Sequence, residues 1–339
     1  DGYNVAVGYE AGKSVTTGIS NTLMGGFAGD ALTTATNNVA IGYAALSGEV
    51  AGPDNVAIGY FAMGSTDNAR ANVAIGYAAL QNLDYDSLTY SHNIGIGFNA
   101  GNDITTGVNN VIIGGSAGDA LTTGTRNVAI GLNALGTEDT GSHNVAIGHQ
   151  ALAVADAGAD AYNVAIGSSA GAAVTTGTLN TIIGALAGDA ITTSQYNVAI
   201  GYGALTAEDS YGKTVAIGYL ALATQNASTD TFNVAIGMEA GKLISTGIFN
   251  TLVGGQAGDA MTTGNTNVAI GYLALSAETE GDRNVAIGVG ALSVQNNSDT
   301  DVYNTAIGYA AGTAVTTGVQ NTILGGLGAD ALTTGEKNV

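Results

Sequence analysis

Read for its apolar and polar positions, the chain says one short phrase again and again: an asparagine, a small residue held between two β-formers, then a glycine. Copies start at Asn4, Asn21, Asn38, Asn55, Asn72, Asn93, Asn110, Asn127, Asn144, Asn163, Asn180, Asn197, Thr214, Asn233, Asn250, Asn267, Asn284, Asn304 and Asn321, with a twentieth cut short at Asn338-Val339. Most starts lie 17 residues apart and a few lie 19, 20 or 21 apart. So short a period predicts a quasi-one-dimensional stack in which each copy touches its neighbours. The expected fold is an all-β parallel solenoid, a β-roll of about 17-residue rungs.

Counting each rung from its Asn, position 2 is Val, Ile or Thr and position 4 is Ile, Val, Leu or Met, as in Val39 and Ile41. Two bulky β-formers on one side of a short strand predict that this side fills the coil. Position 3 is Ala in thirteen rungs, Gly95 in one, and Leu23, Ile112, Ile182, Leu252 or Ile323 in the rest, while position 5 is always Gly. The opposite side is thus apolar or bare in every rung. A strand apolar on both faces is normally covered on both. The expected cover is another copy of the chain, in a homotrimer around a shared axis.

The leading Asn is placed where the chain enters the strand, in a setting that tolerates left-handed backbone, and stacking predicts an Asn ladder. Position 8 is Ala in eighteen rungs and Gly328 in the other. The remaining residues, rich in Thr, Gly, Ser, Asp and Glu, predict a second short strand plus turns. Nineteen rungs at about 4.8 Å each predict a rod roughly 90 Å long. Neither end carries a polar cap, which predicts that the array continues beyond this segment.

The rungs fall into four classes that recur in order. The first has Ala-Gly and then Thr-Thr-Gly, as at Val174-Thr175-Thr176-Gly177; the second has Ile or Leu at position 3 and continues as Ala117-Gly118-Asp119-Ala120 does. Two more end in Ala-Leu or Ala-Met and turn acidic, as at Ala204-Leu205-Thr206-Ala207-Glu208-Asp209. Residues 1–339 are therefore one continuous repeat domain with a super-repeat of about 70 residues: 4–92 with an extra rung at Asn55, then 93–162, 163–232, 233–303 and a partial 304–339.

Composition narrows the function. Fifty-three Gly, one Pro, no Cys and no Trp describe tight turns without disulfides. Seven basic against twenty-seven acidic residues give a net charge of −20, which repels nucleic-acid phosphates and anionic lipid. Neither nucleic-acid binding nor membrane insertion is expected, and no apolar run is long enough for a membrane helix.

The Asn-led Val-Ala-Ile-Gly strands, with Gly and Ala at fixed places after them, resemble the head repeats of trimeric autotransporter adhesins. Asn304-Thr305-Ala306-Ile307-Gly308-Tyr309 also matches the Asn-Thr-Ala-Ile-Gly-Tyr repeat of phage tail fibres and large bacterial surface proteins. The resemblance spans essentially the whole chain. It implies a left-handed, trimeric, extracellular β-roll used for attachment. The 17-residue rung is longer than the usual autotransporter head repeat, and no stalk heptads or membrane anchor accompany it.

Candidate chemistry is sparse. Three His (His92, His143, His149), no Cys and no recurring Ser/His/Asp set argue against an enzyme. One Ile-Gly-x-x-Ala hexapeptide per rung is too few for an acyltransferase-type helix. Gly325-Gly326-Leu327-Gly328-Ala329-Asp330-Ala331-Leu332 fits the first eight positions of the calcium nonapeptide, so Asp30, Asp119, Asp189, Asp259 and Asp330 are the candidate calcium ligands. They recur every fourth rung in most of the chain, roughly 19 Å apart, without the oxygen-rich cage calcium needs. A local Asx turn is the competing assignment. The acidic loops Glu138-Asp139, Glu208-Asp209, Glu278 to Asp282 and Asp299 to Asp301 are expected to be solvated edges that discourage aggregation.

Tyrosines at position 6, including Tyr43, Tyr60, Tyr77, Tyr202 and Tyr219, form either a supporting ladder or a strip that binds host or surface glycans. Sequons occur at Asn226-Ala227-Ser228 and Asn296-Asn297-Ser298. The expected function is the structural shaft of an extracellular fibre that spans distance and supports attachment. A glycan- or calcium-binding adhesin module, or a single-chain solenoid polymerising into a matrix filament, are the alternatives.

Overall fold

The computed structural model describes residues 2–158, 160–297 and 301–339. Contacts group the chain into two compact units, Asp1–Ser169 and Ala170–Val339. Each is a parallel β-solenoid, and among the described residues there is no helix, hence none long and apolar enough to cross a membrane. The first unit holds ten three-residue rung strands, from Val5–Val7 to Val164–Ile166, and the second holds nine, from Thr181–Ile183 to Thr322–Leu324. Pairing is parallel and in register: Val39 lies beside Val56, Ala40 beside Ala57 and Ile41 beside Ile58, and in the second unit Val198 lies beside Val215.

The two strand faces are the reverse of the expectation. Position 3 points inward: Ala40, Ala57, Ala74, Ile112 and Ile182 are fully buried, whereas Val39 and Ile41 on either side are only half-buried. Room inside decides this. The coil also receives Ala45 and its equivalents from position 8, together with, in most inner rungs, one large buried side chain from either position 9 or position 12. In the Asn72 rung both Leu80 and Leu83 are buried, and Leu80 faces Gly95 of the next rung. Where position 9 is Leu46, Leu135 or Leu205, the bulk comes from there. Where position 9 is Gly, position 12 supplies it, as Leu32, Ile104, Leu121 or Ile191. The exchange is tight: a Cβ on Gly29 would come within 2.8 Å of both Leu23 and Leu32. An interior already filled this way accepts a methyl group at position 3 and, beside a glycine, an Ile or Leu.

Turns are hydrogen-bonded as fully as strands. Gly42 N–H donates to Met24 and Ala44 N–H to Gly26 of the preceding rung, while Leu46 N–H donates to Ala62 of the next. Alternating direction requires alternating backbone hand, and Ala44 and Leu46 have φ of 52° and 53°. A third left-handed residue lies just before each Asn, as in Asn37 with φ 60°. The left-handed geometry expected of the Asn itself therefore belongs to its predecessor.

Gly42 is held at φ 130°, and a Cβ there would sit 2.5 Å from the carbonyl oxygen of Gly59, so only glycine lets the rungs close to strand spacing. The expected second strand is, in most rungs, a run of bends whose amides still reach the adjacent rung, as Thr33 N–H to Val50 does. Among the described residues it is a true strand pair only in the first unit, where Asp67–Arg70 runs parallel to Asp84–Tyr90. The register jumps from Asp67↔Asp84 to Ala69↔Thr89, which is where the extra residues of the longest rung bulge out.

Candidate functional site

The Asn ladder is the most regular feature. Asn110 Oδ1 accepts the amide of Asn127 at 2.9 Å, its Nδ2 donates to the Gly124 carbonyl at 2.9 Å, and its own amide donates to Asn93 Oδ1 at 2.9 Å. Equivalent bonds tie Asn250 to Asn267 and Gly264 in the second unit. These side chains are fully buried, so each amide group satisfies two backbone groups that water cannot reach. At Thr214, the one rung without the Asn, Gln225 bridges the gap by donating to Thr214 Oγ1 at 3.0 Å and accepting from Asn233 at 2.8 Å. Asn144 Nδ2 is the one ladder amide that is buried without a hydrogen-bond partner among the described residues.

The five candidate calcium ligands stay apart. Each occupies position 10 of its own rung, and among the described residues none belongs to a group of three acidic or histidine side chains close enough to share an ion. Asp30 pairs with Lys13 at 3.3 Å, and Asp330 is exposed. Burial raises the pKa of Asp119, whose carboxylate is opposed by bonds from its own amide, Ser116 and Ala120, the pattern of a local turn. Burial likewise raises Asp189 and Asp259, each of which has one carboxylate oxygen sealed from solvent without a hydrogen bond. Among the described residues, the acidic group that does gather is Glu138, Asp139 and Asp156, with ligand atoms within 4.8 Å of one another.

The acidic loops are not uniformly solvated. Glu138, Glu208 and Glu278, expected at the edge, are fully buried, as is Glu49. They occupy position 12 of the third rung class, the interior slot that the first two classes fill with Val, Ile, Leu or Met. Leu46, Leu135, Leu205 and Leu275 already provide the bulk in these rungs, so the slot can take a carboxylate that accepts backbone amides. Glu49 accepts from Ala51 and Gly52 at 3.0 and 2.6 Å and from Ala69 at 3.0 Å. Glu278 accepts from Thr279, Glu280 and Gly281 and from the side chain of Gln295 at 2.8 Å. The recurrence of Glu at an otherwise apolar position is the signal by which sequence reasoning could have found them. Among their neighbours in those loops, Asp282 is buried and hydrogen-bonded to Asn265; Asp299 lies outside the described residues.

The aromatic residues form ladders on the outside. Tyr43, Tyr60, Tyr77 and Phe98 stack at centroid distances of 5.4, 5.2 and 5.2 Å with interplanar angles of 14°, 5° and 16°. Gly26 leaves a gap at position 6 that Phe27 fills from position 7, meeting Tyr9 and Tyr43 edge to face at 5.2 and 5.6 Å. Tyr202 and Tyr219 stack at 5.7 Å in the second unit. Parallel stacking turns ring faces toward neighbouring rings and presents edges to solvent. Open hollows occur at Phe27, Asp30, Tyr43, Ala44, Ser47 and Phe61, and in the second unit at Thr193, Gln195, Tyr196, Ser210, Gly212, Lys213 and Asp230.

His143 stacks on Tyr162 at 4.7 Å and lies 3.2 Å from Asp160, and His92 stacks on Tyr90, with Arg70 over the same ring at 3.7 Å. His92, His143 and Tyr162 hold the left-handed position before the Asn of their rungs. Of the sequons, Asn226 and Ser228 are exposed; Ser298 lies outside the described residues. No protein-family model matches the chain, and no curated protein matches its sequence.

Proposed function

We propose that this chain is a structural shaft segment of a long extracellular fibre, built to span distance and to hold attachment parts rather than to catalyse. The observation that carries this reading is the rung itself. Its Asn, its Gly at position 5 and its small interior residues recur throughout both units, and strands and turns alike bond to the adjacent rungs. A chain designed around one pocket concentrates its exceptions; here the interior is filled rung after rung.

Self-association is part of the proposal, through the other strand face from the one the sequence suggested. Positions 2 and 4 leave Val and Ile half-buried along each ladder, and Ile166, Ile236, Ile270 and Ile307 are exposed. The first unit alone carries ten such strands, hence twenty flanking residues, close to the roughly 20–30 per side of a standard interface. The stripe is uncharged while the chain is strongly acidic, so apolar contact along it joins copies without opposing charges face to face. A homotrimer is the expected assembly.

The test is the mass in solution by light scattering, with and without a calcium chelator, beside electron microscopy of the particles. A mass near three chains in elongated particles, unmoved by chelation, supports the reading. Compact monomers overturn it, and dissociation on chelation transfers the assembly role to the aspartates.

A further inference from the structure

The shaft reading makes no use of four carboxyl groups sealed inside a solenoid that offers them no positive charge. Glu49, Glu138, Glu208 and Glu278 are fully buried, and none is a partner in any ion pair among the described residues. The charges that act on three of them are acidic: Asp67 on Glu49, Asp139 and Asp156 on Glu138, and Asp209 on Glu208. An ionised carboxylate in such a place is held only by hydrogen bonds, so the number of donors decides how willingly it keeps its charge.

Donor supply differs between otherwise equivalent rungs: Glu49 and Glu278 each take at least three donors, whereas Glu138 takes Gly141 N–H at 2.8 Å and Ala157 N–H at 3.4 Å, and Glu208 also takes two. In three of the four rungs position 15 is glycine (Gly52, Gly141, Gly281), and a Cβ on any of these would fall within 2.7 Å of the carboxyl carbon of the glutamate beside it. That lets the carboxylate nest against the turn and take the glycine's own amide at 2.6, 2.8 and 2.8 Å. In the fourth rung position 15 is Tyr211. Glu208 there receives one backbone amide, Tyr211 N–H at 3.2 Å, and one side-chain amide, Gln225 Nε2 at 3.0 Å. Gln225 is shared with Thr214 and Thr231, at 3.0 and 3.2 Å, and its oxygen is taken by Asn233. As at the other three glutamates, which follow Leu32, Leu121 and Met261, the residue at position 12 of the preceding rung is apolar and buried, here Ile191. In this rung Asn197 Nδ2 donates to Asn180 and to Ser194, whose hydroxyl in turn donates to the position-15 carbonyl of Tyr211.

We propose that Glu208 is a proton-binding switch in the core of the second unit, a buried carboxyl that takes up a proton on mild acidification and thereby tightens the solenoid. Protonation removes an uncompensated interior charge beside Asp209 while the Gln225 bridge to Thr214 and Asn233 stays in place. Burial pushes its pKa up to about 7, against 4.5 for an ordinary glutamate. Because the folded-state value is the higher one, the stabilisation is fully present below the ordinary glutamate range and is lost as pH rises through neutrality. Glu49 and Glu138 are raised in the same direction by burial and reinforce the trend.

The experiment compares thermal unfolding of the intact chain and of Glu208→Gln between about pH 8 and pH 5.5, a window above the ordinary carboxylate range. The intact chain is expected to unfold several degrees higher at the acid end, and the isosteric neutral variant to lose most of that rise by being already stable at the alkaline end. An unchanged pH profile in a folded variant overturns the proposal. Should the variant not fold, carbon-13 titration of the glutamate carboxyl groups in the intact chain decides. One signal titrating near neutrality and assigned to Glu208 supports the switch, and all signals titrating in the ordinary acidic range reject it.

Discussion

At the scale of single residues, the buried Asn does what no apolar residue could. Its side chain supplies one acceptor and two donors at a point where the chain leaves a left-handed turn and backbone groups would otherwise be stranded. Asn110→Ala removes the acceptor for Asn127 N–H and the donor for Gly124 C=O in a fully buried setting. Unsatisfied groups cost about 1–3 kcal/mol each, so a loss of about 2–5 kcal/mol is expected in denaturant unfolding. A loss below about 1 kcal/mol would show that neighbouring groups take over the bonds. Legibility differs here between two neighbours: the ladder follows from the repeat spacing, whereas the left-handed residue just before each Asn varies from Tyr to Arg to Thr and carries no compositional mark. Tertiary hydrogen bonds hold the latter against a local cost of roughly 1–2 kcal/mol.

At the scale of the rung, position 5 sets the spacing. Gly42→Ala places a methyl group 2.5 Å from the Gly59 carbonyl oxygen and forces φ 130° on a residue that disfavours it. Loss of more than about 3 kcal/mol is expected, with amide exchange accelerated in the rungs on both sides; protection unchanged at Gly59 would contradict the role given to the glycine. The same element shows why sequence alternation misled. An apolar-small-apolar triplet in a long strand would bury its large residues, but this strand is three residues long and bounded by turns that carry Leu or Ile inward. The interior volume is allotted by positions 9 and 12, so the strand contributes only what is left over. Burial of Glu at position 12 follows from the same allotment, since Leu at position 9 frees that slot.

At the scale of the molecule, the consequence is an uncharged Val/Ile stripe on an acidic surface. If copies join there, Ile130→Lys combined with Ile147→Lys, on adjacent strands of the first unit, should lower the mass toward a single chain while leaving far-ultraviolet circular dichroism unchanged. An unaltered mass would place the contact elsewhere. Substitution at position 3, as in Ala129→Lys, is expected instead to prevent folding, because that side chain is fully buried. The two outcomes together distinguish the inner from the outer face of the same strand.

The 17-residue period, the all-β stacked class and the Asn ladder were determined by the sequence by itself, because in-register stacking turns a linear repeat directly into neighbour contacts. Which face of the strand lies inside, where Glu49, Glu138, Glu208 and Glu278 go, and which turns run left-handed were decided only by the tertiary structure. Those depend on how a narrow interior is shared among three positions of a rung, a volume balance that no single position records.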